Sequence, residues 1–507
     1  MTPDRYQEAF FAEVERGAGN VALRAGPGSG KTTTIVEAGS RMPRSRLLYT
    51  AFARASVDAL QTRLERGTVS TINSLGMAIL RRRVPGNWQI DGSLHTKLAK
   101  ELLPIPTGKE VTPAKEAQYR AVQGTIADTL KLAKNAVAET TKEICDIIWE
   151  QNLDFAPFDI REVAAMVMRG LDATRDGPCE LADGKRYFSF DDQLWVPLIH
   201  GWQPTSFYDA VLIDEVQDLS HAKTEMAAAH SRGRVFVVGD PLQAIYGFAG
   251  VPMDAFDRVV DHLHAAVMPL SICYRCPRGV VALARAYNKE LEPSPSALPG
   301  DVQHHADGLR PTMLSPSDVV ISRSNAALFA LWLDCLLAGV PARINGKGDE
   351  GGYKYRLRIN ACDVGNGSIS AWRKALDAWV QERAEKLTEA GKPLDKLKDD
   401  FAVLQLLSKT ARTVDDVRKN LAMAFASGGA LLTTVHKYKG EEAARVWMLD
   451  HTFRQDDPEK GRYATQEHRN LRYVALTRSK HFLGLVELPT KEDDGASWNP
   501  PVVRAFR

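Results

Sequence analysis

"VALRAGPGSGKTTTIVEA", residues 21–38, passes from an apolar strand-like run through a glycine-rich loop into a segment that opens on Lys31-Thr32-Thr33. Strand, loop, then helix is the setting in which such a loop closes around phosphate. Gly26, Gly28 and Gly30, with Ser29 among them, let successive backbone N–H groups turn inward, and the helix start adds its dipole. At this spacing Lys31 is placed for β and γ phosphates, Thr32 for Mg²⁺, and Thr33 follows in the same turn. Ala25 stands where a first glycine is usual.

Two further segments extend that chemistry. "DAVLIDEVQD" (209–218) is a buried strand ending in adjacent carboxylates, with Asp214 placed to bind Mg²⁺ and Glu215 to orient and deprotonate a water. "VFVVGDPLQAIYGFAG" (235–250) is another strand, whose loop carries the amide of Gln243, suited to a phosphate, and then the ring of Phe248, suited to a nucleobase.

The chain has 507 residues, beyond the ~250–300 at which single cores stop growing, so at least two globular units are expected. With 44% hydrophobic and 25% charged residues it reads as a folded protein, and a net charge of +2 means that any nucleic-acid footprint is local. Six scattered cysteines (145, 179, 273, 276, 335 and 362) suit a reducing cytoplasm, and the Cys273-x-x-Cys276 pair, lacking a second pair at zinc spacing, reads as structural. The acidic, amphipathic N-terminus lacks the pattern of a signal peptide, so a cytoplasmic location is expected. Residues 326–342 are apolar but contain Asp334 and are too short for a bilayer; they read as a buried helix running into a turn, and no membrane partner is expected.

Strand-like runs at 21–25, 46–51, 209–213 and 234–239 alternate with helical stretches, and a second series falls at 318–322, 430–434, 445–449 and 482–486. The fold class is therefore α/β, with two parallel-sheet domains. Between these series lie two mainly helical insertions. Residues 78–204 carry Arg81-Arg82-Arg83, Lys97, Lys100, Lys131 and Lys134, each lysine reading as part of a solvated helix face; residues 349–428 are charged, with a break at Gly391–Pro393.

"AGPGSGKT", "IDEVQD", "VGDPLQAIYGFAG", "ICYRCP", "TTVHKYKGEE" and "NLRYVALTRSK" together, and in this order, resemble the motifs of the UvrD/Rep-type superfamily 1 helicases. The resemblance implies RecA-like domains 1A (1–77 and 205–270) and 2A (271–348 and 429–507), with insertions 1B (78–204) and a reduced 2B (349–428). It implies ATP and Mg²⁺ as cofactors, bound between 1A and 2A. Gln7 corresponds to an adenine-reading glutamine, on a helix expected to be capped by Thr2 with Pro3 in its first turn. Tyr274 corresponds to a base-stacking tyrosine, Arg275 and Arg478 to arginines that meet the γ-phosphate, Glu442 to a ribose contact with Gly440 beside it, and Gln243 to the γ-phosphate sensor. For nucleic acid the matching positions are Phe52, Arg54, Thr71, Ser74, Tyr246, Phe248, Thr434 and His436, with Lys439 near the same cleft. Asn73 replaces a usual histidine and Ala249 an arginine, so a DNA contact or an interdomain link is expected to be weaker, with the ATP chemistry retained.

The activity implied is a 3′ to 5′ DNA helicase that translocates on single strands as a monomer and acts at junctions with duplex, with loading factors or a nuclease as possible partners. The alternative is a nucleic-acid-sensing ATPase subunit that regulates a partner nuclease and unwinds little by itself; the reduced 2B insertion and Ala249 keep it open. A structural DNA binder without catalysis has no need of Lys31, Asp214, Glu215, Arg275 and Arg478 together. No nuclease domain is expected after the last motif.

Overall fold

In the computed structural model, residues 2–487 are described, apart from 52–53, 108–112, 152, 154, 156–157, 248–250, 347–351, 366, 390–393, 427 and 454–460. The chain divides into two compact units, Met1–Ile272 and Cys273–Arg507. Phe52, Phe248, Ala249 and the Gly391–Pro393 break lie outside the described residues, as does the side chain of Arg54.

The first unit is built on a six-stranded sheet. Its strands are β1 (Val21–Ala25), β2 (Leu47–Ala51), β3 (Thr68–Thr71), β4 (Tyr208–Asp214), β5 (Ser231–Gly239) and β6 (Ala266–Leu270). They lie in the order β3-β2-β4-β5-β1-β6, and every pairing is parallel. Because all strands point the same way, the loops that leave them gather at one edge. Arg24 pairs with Gly239 and Ala51 with Asp214, so the glycine-rich loop, the acidic pair and the Gln243 loop start side by side.

Apolar side chains fill both faces of this sheet: Phe10, Ile35, Leu60 and Phe236 belong to one cluster, Leu75, Ile79, Met226 and Phe256 to another. The helix Arg5–Arg16 is held against the sheet by Arg234, whose guanidinium donates to the carbonyls of Glu13, Val14, Ala18 and Gly19. That helix is not capped by Thr2 as the sequence suggested. Asp4 is the cap, its carboxylate accepting from the Tyr6 and Gln7 N–H groups while the Gln7 side chain accepts from Asp4 N. The reciprocal box with Gln7 favours Asp4 over the earlier threonine.

The first insertion is helical, chiefly Leu94–Leu102, Pro113–Ala136, Thr141–Glu150, Ile160–Arg175 and Asp192–Ile199, and adds a small sheet of Gln89–Ile90, Cys179–Glu180 and Arg186–Phe188. Lys100 and Lys131 are exposed, and Lys97 pairs with Asp91 at 2.6 Å. Lys134 corrects the expectation of a solvated face. It is fully buried, its ammonium 2.6 Å from the equally buried Asp192, bonded also to Thr174 Oγ1 and set over the Trp195 ring.

In the second unit the strands are β7 (Asp301–His305), β8 (Val319–Ser322), β9 (Ala342–Ile344), β10 (Ala430–Thr434), β11 (Ala443–Leu449) and β12 (Ser479–Val486), in the order β7-β12-β11-β8-β10-β9. This sheet is also parallel throughout. The apolar helix Asn325–Leu337 buries Leu328, Phe329, Leu331, Trp332, Leu333 and Cys335, as its sequence predicts. The second insertion contributes helices Tyr353–Ala361, Ile369–Glu389, Asp395–Lys409 and Val414–Ala424. Its Trp372, Leu404 and Val417 sit in the same cluster as Val320, Leu432 and Trp447 of the sheet. Among the described residues, no helix is long and apolar enough to cross a membrane.

Candidate nucleotide and nucleic-acid sites

The loop after β1 turns on Gly28 (φ +62°) and Gly30 (φ +80°), left-handed conformations that glycine adopts without penalty. Ser29 is buried and donates to the Gly26 carbonyl at 2.9 Å, and Gly26 N donates to Leu270 O, anchoring the loop to β6. The helix Lys31–Ser40 then starts with Gly30 as its cap and no side chain over its first N–H groups, leaving those donors for an anion. Gln7 lies against this turn: its buried amide donates to Thr34 Oγ1 at 2.9 Å.

At the end of β4 the carboxylates converge on the same place. Thr32 Oγ1 donates to Asp214 Oδ2 at 2.5 Å, and Lys31 Nζ is 3.5 Å from Glu215 Oε1. Burial pushes the Asp214 carboxyl up to about 6, and the Glu215 charge adds to this; Lys31 and the Thr32 hydroxyl pull the other way. A hydroxyl and a carboxylate are the hard oxygen donors that Mg²⁺ takes alongside substrate phosphates, and a dication there would return Asp214 to its charged form. The donor set fits the metal. Among the described residues no group of three or more His, Cys, Asp or Glu is gathered to hold a metal ion.

Glu215 has φ +54° and ψ +45°, a left-handed conformation that is uncommon for a residue with a side chain and is found at functional sites. Its N–H donates to Asp214 Oδ1 at 2.9 Å, and its Oε2 accepts from Gln217 Nε2 at 2.6 Å. Gln243 is buried with its amide donating to Asp240 Oδ2 at 2.7 Å. Tyr246 is partly buried; burial first, then the charges of Asp218 and Glu215, push its phenol up to about 12. Thr71 caps the helix Ile72–Arg83, accepting from Ser74 N at 3.2 Å, with the two hydroxyls 2.6 Å apart. The Asn73 amide reaches the Phe190 carbonyl at 3.4 Å.

A second cluster forms on the second unit. Arg275 Nε donates to Glu442 Oε2 at 2.5 Å and its NH1 to the Thr477 carbonyl at 3.4 Å. Burial would raise the Glu442 carboxyl, but Lys480 and Arg275 more than offset it and hold it below its ordinary value. Arg478 is 1% exposed, its guanidinium donating to Val474 O, Glu441 O and Thr477 Oγ1. Tyr274 is exposed, and Gly440 takes φ +93° next to Glu441 and Glu442. Thr434 caps the short helix Val435–Tyr438, which carries His436. Burial first, then Arg323 and Lys439, push the His436 imidazole down to about 4, so it is neutral at pH 7. Cys273 and Cys276 are buried free thiols, and Cys276 Sγ contacts the Thr477 carbonyl.

Sequence reasoning did not single out Gln217 or Asp240. Gln217 is fully buried, its Oε1 accepting from Asp240 N at 3.0 Å while its other end holds Glu215. The signal available was the glutamine two residues after Glu215 in "DEVQD".

Two parallel α/β units, one carrying a phosphate loop that meets a strand-end carboxylate pair, define a P-loop nucleotide-binding protein of RecA-like build. A family model described as an AAA domain matches residues 7–249. The F-box DNA helicase protein 1 of Schizosaccharomyces pombe is 24% identical across 96% of this chain and 57% of its own length. The F-box DNA helicase 1 of Gallus gallus is 26% identical across 51% of this chain and 25% of its own. The chain thus spans little more than half of the first relative and a quarter of the second. An arterivirus nonstructural protein 10 (helicase) crystal structure overlaps 94% of this chain and 61% of its own at 11% identity, with a TM-score of 0.34, too loose to bear on the fold. Both relatives are named DNA helicases, and the segment matched by the family model contains the phosphate loop and the carboxylate pair.

Proposed function

We propose that the chain is an ATP-dependent, single-stranded DNA translocase of the UvrD/Rep type, with 3′ to 5′ helicase activity at junctions between single strand and duplex. The observation that carries this reading is the convergence of Lys31, Thr32, Asp214 and Glu215 at one sheet edge, a complete set for opening a phosphoanhydride with water. Relatives named as DNA helicases supply the substrate class.

In this reading Gly26–Gly30 and the first N–H groups of Lys31–Ser40 cradle the phosphates, and Lys31 neutralises the β and γ oxygens. Thr32 and Asp214 would hold Mg²⁺, which supplies charge neutralisation across the phosphates when bound. Glu215 orients the attacking water and accepts its proton. Arg275 and Arg478 are assigned to offset the charge that develops on the transferred phosphoryl group. Gln7 and Tyr274 hold the base, Gly440 and Glu442 the ribose. Gln243 reports the γ-phosphate, while Thr71, Ser74, Tyr246, Thr434 and His436, with Phe52, Arg54 and Phe248, track the DNA strand as one monomer moves along it. Stacking worth about 1–3 kcal/mol per base suffices to grip or release one nucleotide per cycle.

Lys31→Ala tests the assignment: DNA-stimulated ATP hydrolysis is lost while single-strand binding persists, and retained turnover refutes it. Polarity is read from strand displacement on partial duplexes with 3′ or 5′ tails.

A second reading, an ATPase subunit that senses nucleic acid for a partner nuclease, is favoured by one observation: the second insertion shares its core with the sheet. Robust strand displacement by the chain alone decides against it.

A further inference from the structure

Glu215 and Gln243, the proposed water-activating carboxylate and phosphate sensor, stand on different loops but are joined by a continuous buried path. Gln217 Nε2 donates to Glu215 Oε2 at 2.6 Å; Gln217 Oε1 accepts from Asp240 N at 3.0 Å; Asp240 Oδ2 accepts from Gln243 Nε2 at 2.7 Å. Gln217 is 0% exposed, Asp240 1% and Gln243 4%, so water is kept from the path as far as the partly exposed Glu215 carboxylate. A glutamine amide has one donating end and one accepting end, and here each is committed to a different loop. The approach is close enough to require Gly239. A Cβ at that position would lie 2.5 Å from Gln217 Oε1 and 2.8 Å from Val216 Cγ1.

We propose that Gln217 is a positioning residue that makes the Glu215 carboxylate answer to Gln243, so that the water is activated only when the sensor amide has engaged a γ-phosphate. Turning the Gln243 amide toward phosphate withdraws a donor from Asp240. Asp240, whose carboxylate accepts from Leu242 N and whose backbone N–H donates to Gln217, then resettles, and Gln217 carries the displacement to Glu215. Glu215 is responsive because its left-handed backbone is kept in place by neighbours, among them the Asp214 carboxylate and Asp218 N.

The inference rests on the ATPase reading above. The test uses the full chain with single-stranded DNA and steady-state ATP hydrolysis. Gln217→Met keeps side-chain volume but removes both ends of the amide. It should lower kcat by about tenfold to a hundredfold, as a misplaced catalytic group does, with KM for ATP and the Kd for DNA within about twofold. The loss should fall on kcat and leave KM in place, because the contacts to substrate are untouched. Gly239→Ala, which pushes the same amide from the other side, should likewise lower kcat with KM kept. Combined with Gln243→Ala, Gln217→Met should cost no more than the worse single variant, since both cut one path. An unchanged kcat, additive losses, or KM rising together with the fall in kcat would overturn the proposal. A wild-type chain without DNA-stimulated hydrolysis would remove the ATPase reading itself; a stimulated wild type with unchanged kcat in Gln217→Met removes only the coupling.

Discussion

Replacing Lys134 with methionine removes a charge from the interior while keeping most of the side chain's volume. In the native chain the ammonium bonds Asp192 Oδ1 at 2.6 Å and Thr174 Oγ1 at 2.9 Å, with neither end of the ion pair exposed. Removing one member of a buried pair costs about 3–5 kcal/mol, because the partner charge stays behind without compensation. Asp192 keeps three donors, the Thr174 hydroxyl and the Ser189 N–H and hydroxyl, which places the cost at the lower end, about 3 kcal/mol. For a unit running from Met1 to Ile272, each kcal/mol moves the melting temperature by roughly 2–4 °C, so a drop of roughly 6–12 °C is expected. Calorimetry of the variant, with urea titration followed by tryptophan fluorescence, gives both numbers. Adding Asp192→Asn should recover most of the loss, since the stranded charge is then gone. A single variant within about 1 kcal/mol of wild type, or a double variant worse than the single, would refute the reasoning.

Asp214 carries a pH-dependent cost. Its native carboxyl titrates near 6 against an ordinary 3.8, so between those values the native state holds more protons than the unfolded one; stability falls as pH rises through that window, and the penalty is complete above it. Asp214→Asn should therefore raise the melting temperature of the nucleotide-free protein at pH 7.5, by up to about 3 kcal/mol in stability, while abolishing hydrolysis; no gain at pH 7.5 over pH 4 would contradict this. Gly76→Ala places a methyl 2.1 Å from the Gln193 carbonyl, so the helices Ile72–Arg83 and Asp192–Ile199 must separate; a loss of about 1–3 kcal/mol in a urea titration is expected. Asp4→Ala removes the cap that also fixes Gln7, and should cost about 0.5–2 kcal/mol while raising KM for ATP more than for GTP. Equal changes for the two nucleotides would detach Gln7 from base reading.

The sequence pattern located the interior of each sheet and missed its borders. The eight runs read as strands correspond to β1, β2, β4 and β5 and to β8, β10, β11 and β12, which are flanked on both sides and therefore nearly continuously apolar. The four strands it overlooked, β3, β6, β7 and β9, are the four sheet edges. "TVST" and "DVQHH" are half exposed there and carry no apolar run to betray them. At the site, Lys31, Thr32, Asp214 and Glu215 were legible because loop chemistry and strand ends are local signals. Gln217 was not, because its role appears only when Asp240, on another strand's loop, is brought against it. Lys134 failed for the same reason: a lysine on a helix looks solvated until Asp192, far along the chain, is found waiting inside the insertion. The cap of the first helix turned on a choice between two suitable residues, Thr2 and Asp4, that only Gln7 resolved.

The helices described between β9 and β10 have no private interior. Trp372, buried to 0% exposure with its indole N–H bonded to the Ile359 carbonyl, belongs to one apolar body with Trp447 and Leu432 of the sheet. Such a segment is a wall of the house rather than a door: it cannot swivel without opening the masonry behind it. Excising it would strip the sheet bare, and the shortened protein should collapse into aggregates.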